Sequence, residues 1–166
     1  MNPALLFDFI VDKENSTVRV KREFAAEHSL VWDAWTKAEM LDKWWAPKPW
    51  VSKTKSMEFK EGGRRLYAMC GPEGEEHWCL ADYTSITPKT NFHHLDAFCD
   101  KDGYISDAMT RSAWSVDFID QGATTLVKVA IKHKKLEDLE KIIEMGFKEG
   151  FTMAMENLDE LFIPLN

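Results

Sequence analysis

From Val51 to His133 apolar side chains return at every second position, and the stretch carries no sustained helical spacing. Met57 and Phe59 alternate with Glu58 and Lys60, then Gly62-Gly63 marks a tight turn ahead of Arg65, Tyr67 and Met69. Gly71-Pro72-Glu73-Gly74 turns the chain again. His77, Cys79, Ala81 and Tyr83 then share one face, with Trp78 and Leu80 on the other. Pro88 breaks the run before Phe92 to Phe98, and a polar link through Asp102-Gly103 leads to Trp114, Val116 and Phe118. Gly122 turns the chain into Thr125, Val127, Val129 and Ile131, where the alternation is cleanest. Half of this chain is therefore committed to an antiparallel sheet.

The flanks have other periods. Phe7, Phe9 and Val11, a turn over Asp12 to Ser16, and Val18, Val20 and Arg22 to Phe24 predict an opening hairpin or one long edge strand. Val31, Ala34, Trp35 and Ala38 fall on one helical stripe, with Ser29 as its N-cap. A second short helix takes Met40, Leu41, Trp44 and Trp45 and is stopped by Pro47 and Pro49. At the end, Leu139, Ile143, Gly146, Gly150, Ala154, Asn157 and Leu161 predict one helix over Leu136 to Phe162. It would be roughly 40 Å long, enough to cross a sheet of about seven strands. With no repeat, linker or low-complexity segment, residues 1–166 read as one domain.

An antiparallel sheet hides one face and wets the other, so the terminal helix has to cover the hidden face, an α+β arrangement. Wherever that helix carries small residues, space opens. Gly146 and Gly150 lie four apart, and each is unfavourable in a helix by about 1 kcal/mol relative to alanine. Either the helix approaches the sheet closely there, or room is left for a ligand bordered by Phe147, Phe151 and Met153. The inward strand residues Met57, Phe59, Tyr67, Met69, Tyr83, Phe92, Phe98, Trp114 and Phe118 carry the same two readings, because rings and methionines fill cores and also line adaptable apolar pockets. The chain has seven tryptophans. Those near its start, including Trp35 and Trp44, make a thick aromatic layer that is either solid core or pocket wall.

Charge narrows the partners. With 28 acidic and 21 basic residues, the net charge is -7, which opposes binding to a phosphate backbone. Lys132-His133-Lys134-Lys135 reads as a solvated loop. No run approaches the roughly 18 apolar residues of a membrane span, so membrane insertion is not expected. Met1 to Asp8 lack the pattern of a secretory leader, and three cysteines show no disulfide framework. A reducing cytoplasm is the expected home.

Val31-Trp32-Asp33-Ala34-Trp35-Thr36, then Leu41-x-x-Trp44-Trp45-Ala46-Pro47, resembles the opening of the Hsp-90 ATPase activator-like family of the START-like superfamily. Gly62-Gly63, Gly71-Pro72-Glu73-Gly74, Ala81-Asp82-Tyr83 with Ile86-x-Pro88, and Gly122 with Thr125-Leu126 follow in order, then Gly150-Phe151 ahead of Leu158 and Leu161. The resemblance spans about Thr17 to Phe162. It implies the helix-grip fold with a cavity between sheet and carboxyl-terminal helix, and no catalytic set to carry over. The tryptophan-proline motif reads as architectural.

Chemistry by residue type gives little more. His77, Cys79, His93, His94 and Cys99 lack ligand spacing, and His93 and His94 face opposite ways, so no metal is expected. No nucleophile elbow or phosphate loop occurs. His94 and Asp96 share a strand face, with Tyr83, Arg65 and Arg111 near the same interior, and are the acid–base candidates. The competing reading is that they face solvent or satisfy each other. The expected function is carriage of a small hydrophobic molecule without a cofactor. The alternatives are a cyclase- or hydrolase-like enzyme acting on an aromatic or polyketide-like substrate, and an interaction domain that dimerises or contacts a chaperone.

Overall fold

A computed structural model of the chain describes residues 5–163. The readings that touch residues 1–4 and 164–166, the leader and the domain ends, lie partly outside them. An opening hairpin, β1 (Phe7–Asp12) and β2 (Thr17–Phe24), precedes two short helices, α1 (His28–Thr36) and α2 (Ala38–Trp44). Then come β3 (Val51–Met57), β4 (Arg64–Cys70), β5 (Glu76–Thr87), β6 (Asn91–Phe98), β7 (Ser112–Asp120) and β8 (Thr125–His133). Two helices close the chain, α3 (Leu136–Glu144) and α4 (Phe147–Phe162). The strands form one antiparallel sheet of eight, in the order β1-β2-β8-β7-β6-β5-β4-β3. This is the α+β helix-grip architecture, with one strand more than the sequence pattern suggests.

Three local expectations are corrected. The N-cap of α1 is Glu27, and Ser29 lies inside the helix, where its hydroxyl accepts from Lys89 Nζ at 3.2 Å. Phe59 is not on a strand: β3 ends at Met57, and Phe59 sits in the following loop against Tyr83 at 4.9 Å between ring centroids. The terminal helix is two helices. Gly146 adopts φ +93°, a left-handed conformation that glycine enters without steric penalty, and separates α3 from α4.

Strand register sorts the inward residues into rows across the sheet. One row runs Tyr83, His94, Trp114, Ile131, Val18. The next, toward the other end of the strands, runs Arg65, Ala81, Asp96, Ser112, His133. Tyr67, Cys79 and Phe98 make a third. The sheet end carrying Phe92, Val116 and Val129 is filled solid by α1 and its tryptophans. Trp32 packs edge-on against Phe59, Phe92 and Phe118 at 4.9 to 5.9 Å. Trp44 is fully buried, and its indole N–H donates to the Ala34 carbonyl at 2.9 Å, locking α2 onto α1. On the outer face the loop after β6 crosses the sheet, where Lys55 Nζ donates to the Lys101 carbonyl at 2.8 Å. Leu66 and Leu80 are buried on that same face.

Candidate functional site

The end of the sheet that α1 does not reach is hollow. A cavity of about 390 Å³ lies between the Tyr67 and Asp96 rows and the start of α4. That is the size range of small-molecule pockets. Strands supply its floor through Tyr67, Met69, Cys79, Trp114 and Ile131. The segment after α2 supplies one wall with Trp45, Pro47 and Trp50; Phe147, Gly150, Phe151 and Ala154 of α4 form the roof. Phe98, His77 and Met145 stand at an exposed rim.

Seven of the sequence-derived binding candidates meet here: Tyr67, Met69, Phe98, Trp114, Phe147, Gly150 and Phe151. The others go elsewhere. Trp44, Phe92 and Phe118 are in the solid core, and Met57 and Phe59 pack against it. Trp35 and Tyr83 border only a small void of about 20 Å³ beside that core. Gly146 does not border the cavity; a Cβ built on it meets nothing within 4 Å, and only its positive φ demands glycine. Gly150 does border it, and a Cβ there would have Pro47 Cγ at 3.7 Å as its sole close neighbour.

The polar groups of the floor are arranged by the register. His94 and Asp96, two apart on β6, point inward together, and His94 Nδ1 is bonded to Asp96 Oδ1. The His94 ring lies parallel to Trp114 at 5.4 Å and to Phe92 at 5.7 Å, away from the main cavity, which only Asp96 of the pair lines. Tyr83 and Arg65 border the same small void as His94 and Asp96, with the Tyr83 ring centroid 5.7 Å from that of His94. Arg65 is buried but bonds Ser52 Oγ at 3.0 Å and Thr54 Oγ1 at 3.3 Å, its guanidinium 3.8 Å from the Tyr67 ring centroid. Arg111 belongs to the outer face, where it donates to Asp82 Oδ2 at 2.7 Å.

Burial, assisted by the nearby Asp96 charge, pushes the Cys79 thiol up to about 12, so at neutral pH it is not a thiolate nucleophile. Burial likewise raises Tyr67, keeping its hydroxyl protonated; that oxygen accepts from Trp45 Nε1 at 3.1 Å. Among the described residues no three His, Cys, Asp or Glu side chains are placed to hold a metal ion.

His133 departs from the solvated-loop reading of its basic run, which the exposed Lys134 and Lys135 beyond β8 keep. It ends β8 facing inward, only 5% exposed, and lines the cavity. Desolvation lowers its pKa, and Nδ1 is buried without a partner. The alternation Val127, Val129, Ile131 extends to 133 and was the available signal. Trp45 and Trp50 gave no such signal, since only the turn after α2 aims them at the sheet.

The model of the family described as Activator of Hsp90 ATPase homolog 1-like protein matches residues 25–162. A crystal structure of a protein from Mycobacterium smegmatis superposes with a TM-score of 0.87 at 25% identity, over 95% of this chain and 96% of that one. A solution structure of an Arthrobacter aurescens protein gives 0.86 at 27% identity, over 92% and 88%. Among curated proteins none matches. No helix among the described residues is long and apolar enough to cross a membrane. Matched over most of its length, the chain belongs to the Activator of Hsp90 ATPase homolog 1-like family.

Proposed function

We propose that this protein binds a small, largely apolar molecule between the sheet and α4. The observation that carries the reading is the hollow itself: about 390 Å³ lined by Trp45, Met69, Trp114, Phe147 and Phe151 beside a core packed solid a few residues away along the same strands. An apolar gap of that size forfeits dispersion contacts and hydrophobic stabilisation that side chains of ordinary size would recover. A guest that fills it supplies both.

The test is native mass spectrometry of the protein from its own host, with thermal shifts across lipid and aromatic panels. A retained small molecule, and a shift abolished by Gly150→Leu with the fold intact, are expected. No retained mass and no shift, or an equal shift in the variant, would remove the reading.

A further inference from the structure

The cavity has one charged side chain, and it is negative. Among the described residues no lysine or arginine lines it, and Asp96 is its sole carboxylate. His94 holds Asp96 Oδ1, whereas Oδ2 has no hydrogen-bond partner among the described residues. The nearest cation of the Asp96 row, Arg65, is bound to Ser52, Thr54 and Asp42. Ser112, next in the row, spends its hydroxyl as acceptor for Trp114 Nε1 at 3.2 Å. His133, at the end of the row, lies two strands from Asp96, about 10 Å away.

Resting on the binding function proposed above, we propose that the ligand is an apolar or aromatic molecule bearing a protonated amine, whose N–H donates to Asp96 Oδ2, and that carboxylates of the same shape are refused. Two features support this besides the free oxygen. The rings of Trp45, Trp114, Phe147 and Phe151 surround the same space, and aromatic faces attract organic cations most when water is excluded. Asp96 adds to burial in raising both Tyr67 and Cys79, a pull that outweighs the opposing one of Arg65 at each. Desolvation lowers the pKa of His133, so at neutral pH it supplies no compensating charge. A ligand carboxylate would meet a carboxylate with no lysine or arginine lining the cavity to pair it among the described residues, a cost that grows as the guest displaces water. The net charge of -7 also draws a cation toward the mouth.

Three probes of one shape decide it: naphthylethylamine, naphthylethanol and naphthylacetate, titrated by calorimetry into the native chain and into Asp96→Asn. The amine should bind at least about tenfold more tightly than the carboxylate, as for a desolvated cation–π and charge-pair site. Asp96→Asn should bring the three within about twofold of one another, with an unchanged circular-dichroism spectrum showing that the variant is folded. A carboxylate bound as tightly as the amine overturns the inference, and so does a preference that survives Asp96→Asn. Equal binding of all three removes the charge selection and leaves the cavity reading standing. Binding of none overturns the inference, while the mass measurement and panels above judge the cavity reading separately.

Discussion

Asn157 of α4 donates from Nδ2 to the Ala46 carbonyl at 3.0 Å, tying the terminal helix to the end of the tryptophan-proline segment. The same nitrogen reaches the Trp44 carbonyl at 3.4 Å. One buried amide thus holds the roof of the cavity to its wall. Asn157→Ala is expected to lower unfolding free energy by about 2 kcal/mol, since it removes the donor to two buried acceptors. Urea denaturation at fixed pH measures it, and a loss within error of zero would mean that water replaces the amide.

Gly146 and Gly150 should respond with opposite signs. Gly146→Ala forces a side chain into a left-handed conformation and should destabilise by about 1–2 kcal/mol. Gly150→Ala sits on ordinary helix with van der Waals room beside Pro47 and should stabilise by about 0.5–1 kcal/mol. Paired thermal melts compare them, and equal effects would contradict the assignment of Gly146 to the joint.

That pair also marks where the sequence was readable. Strands and turns are local matters: period two and glycine or proline breakers place nearly every element. The break between α3 and α4 hid because Leu139, Ile143, Gly146 and Gly150 keep helical spacing straight through it, although a glycine after an amphipathic run is also a C-terminal stop signal. The site was only half legible for another reason. Which end of an inward face is plugged depends on where α1 delivers Trp32, a long-range fact that alternation does not encode. Phe92 and Trp114 look alike in the pattern, yet one ends in core and the other faces the hollow.

Tryptophans from the two regions should separate stability from binding. Trp44→Ala removes a fully buried ring and the donor to Ala34, and should cost about 3–5 kcal/mol. Trp50→Ala, at the cavity wall, should cost less than about 1 kcal/mol while weakening any ligand. Denaturation and ligand titration on both variants check the division.

His133 should make stability pH-dependent. Burial lowers its folded pKa below the ordinary 6.5, against an opposing pull from Asp138. Above that pH both states are neutral and stability is complete. As pH falls through 6.5 the unfolded chain takes the proton first, so stability declines, by at most about 1.4 kcal/mol per pH unit, until the folded imidazole also protonates. Asp138, lowered chiefly by its hydrogen bond from Thr110, acts only in a more acidic window, below its ordinary 3.8. Urea unfolding at about pH 7.5 and about pH 5.5 should show a smaller drop in His133→Gln than in the native chain. An equal drop would remove His133 as the cause.

Strands β6 to β8 are packed solid at one end and border the hollow at the other. β6 runs from Phe92, locked among rings, to Asp96 and Phe98 at the opening. Side chains at the hollow ends of β6 to β8 can therefore change while the packed ends go on specifying the fold.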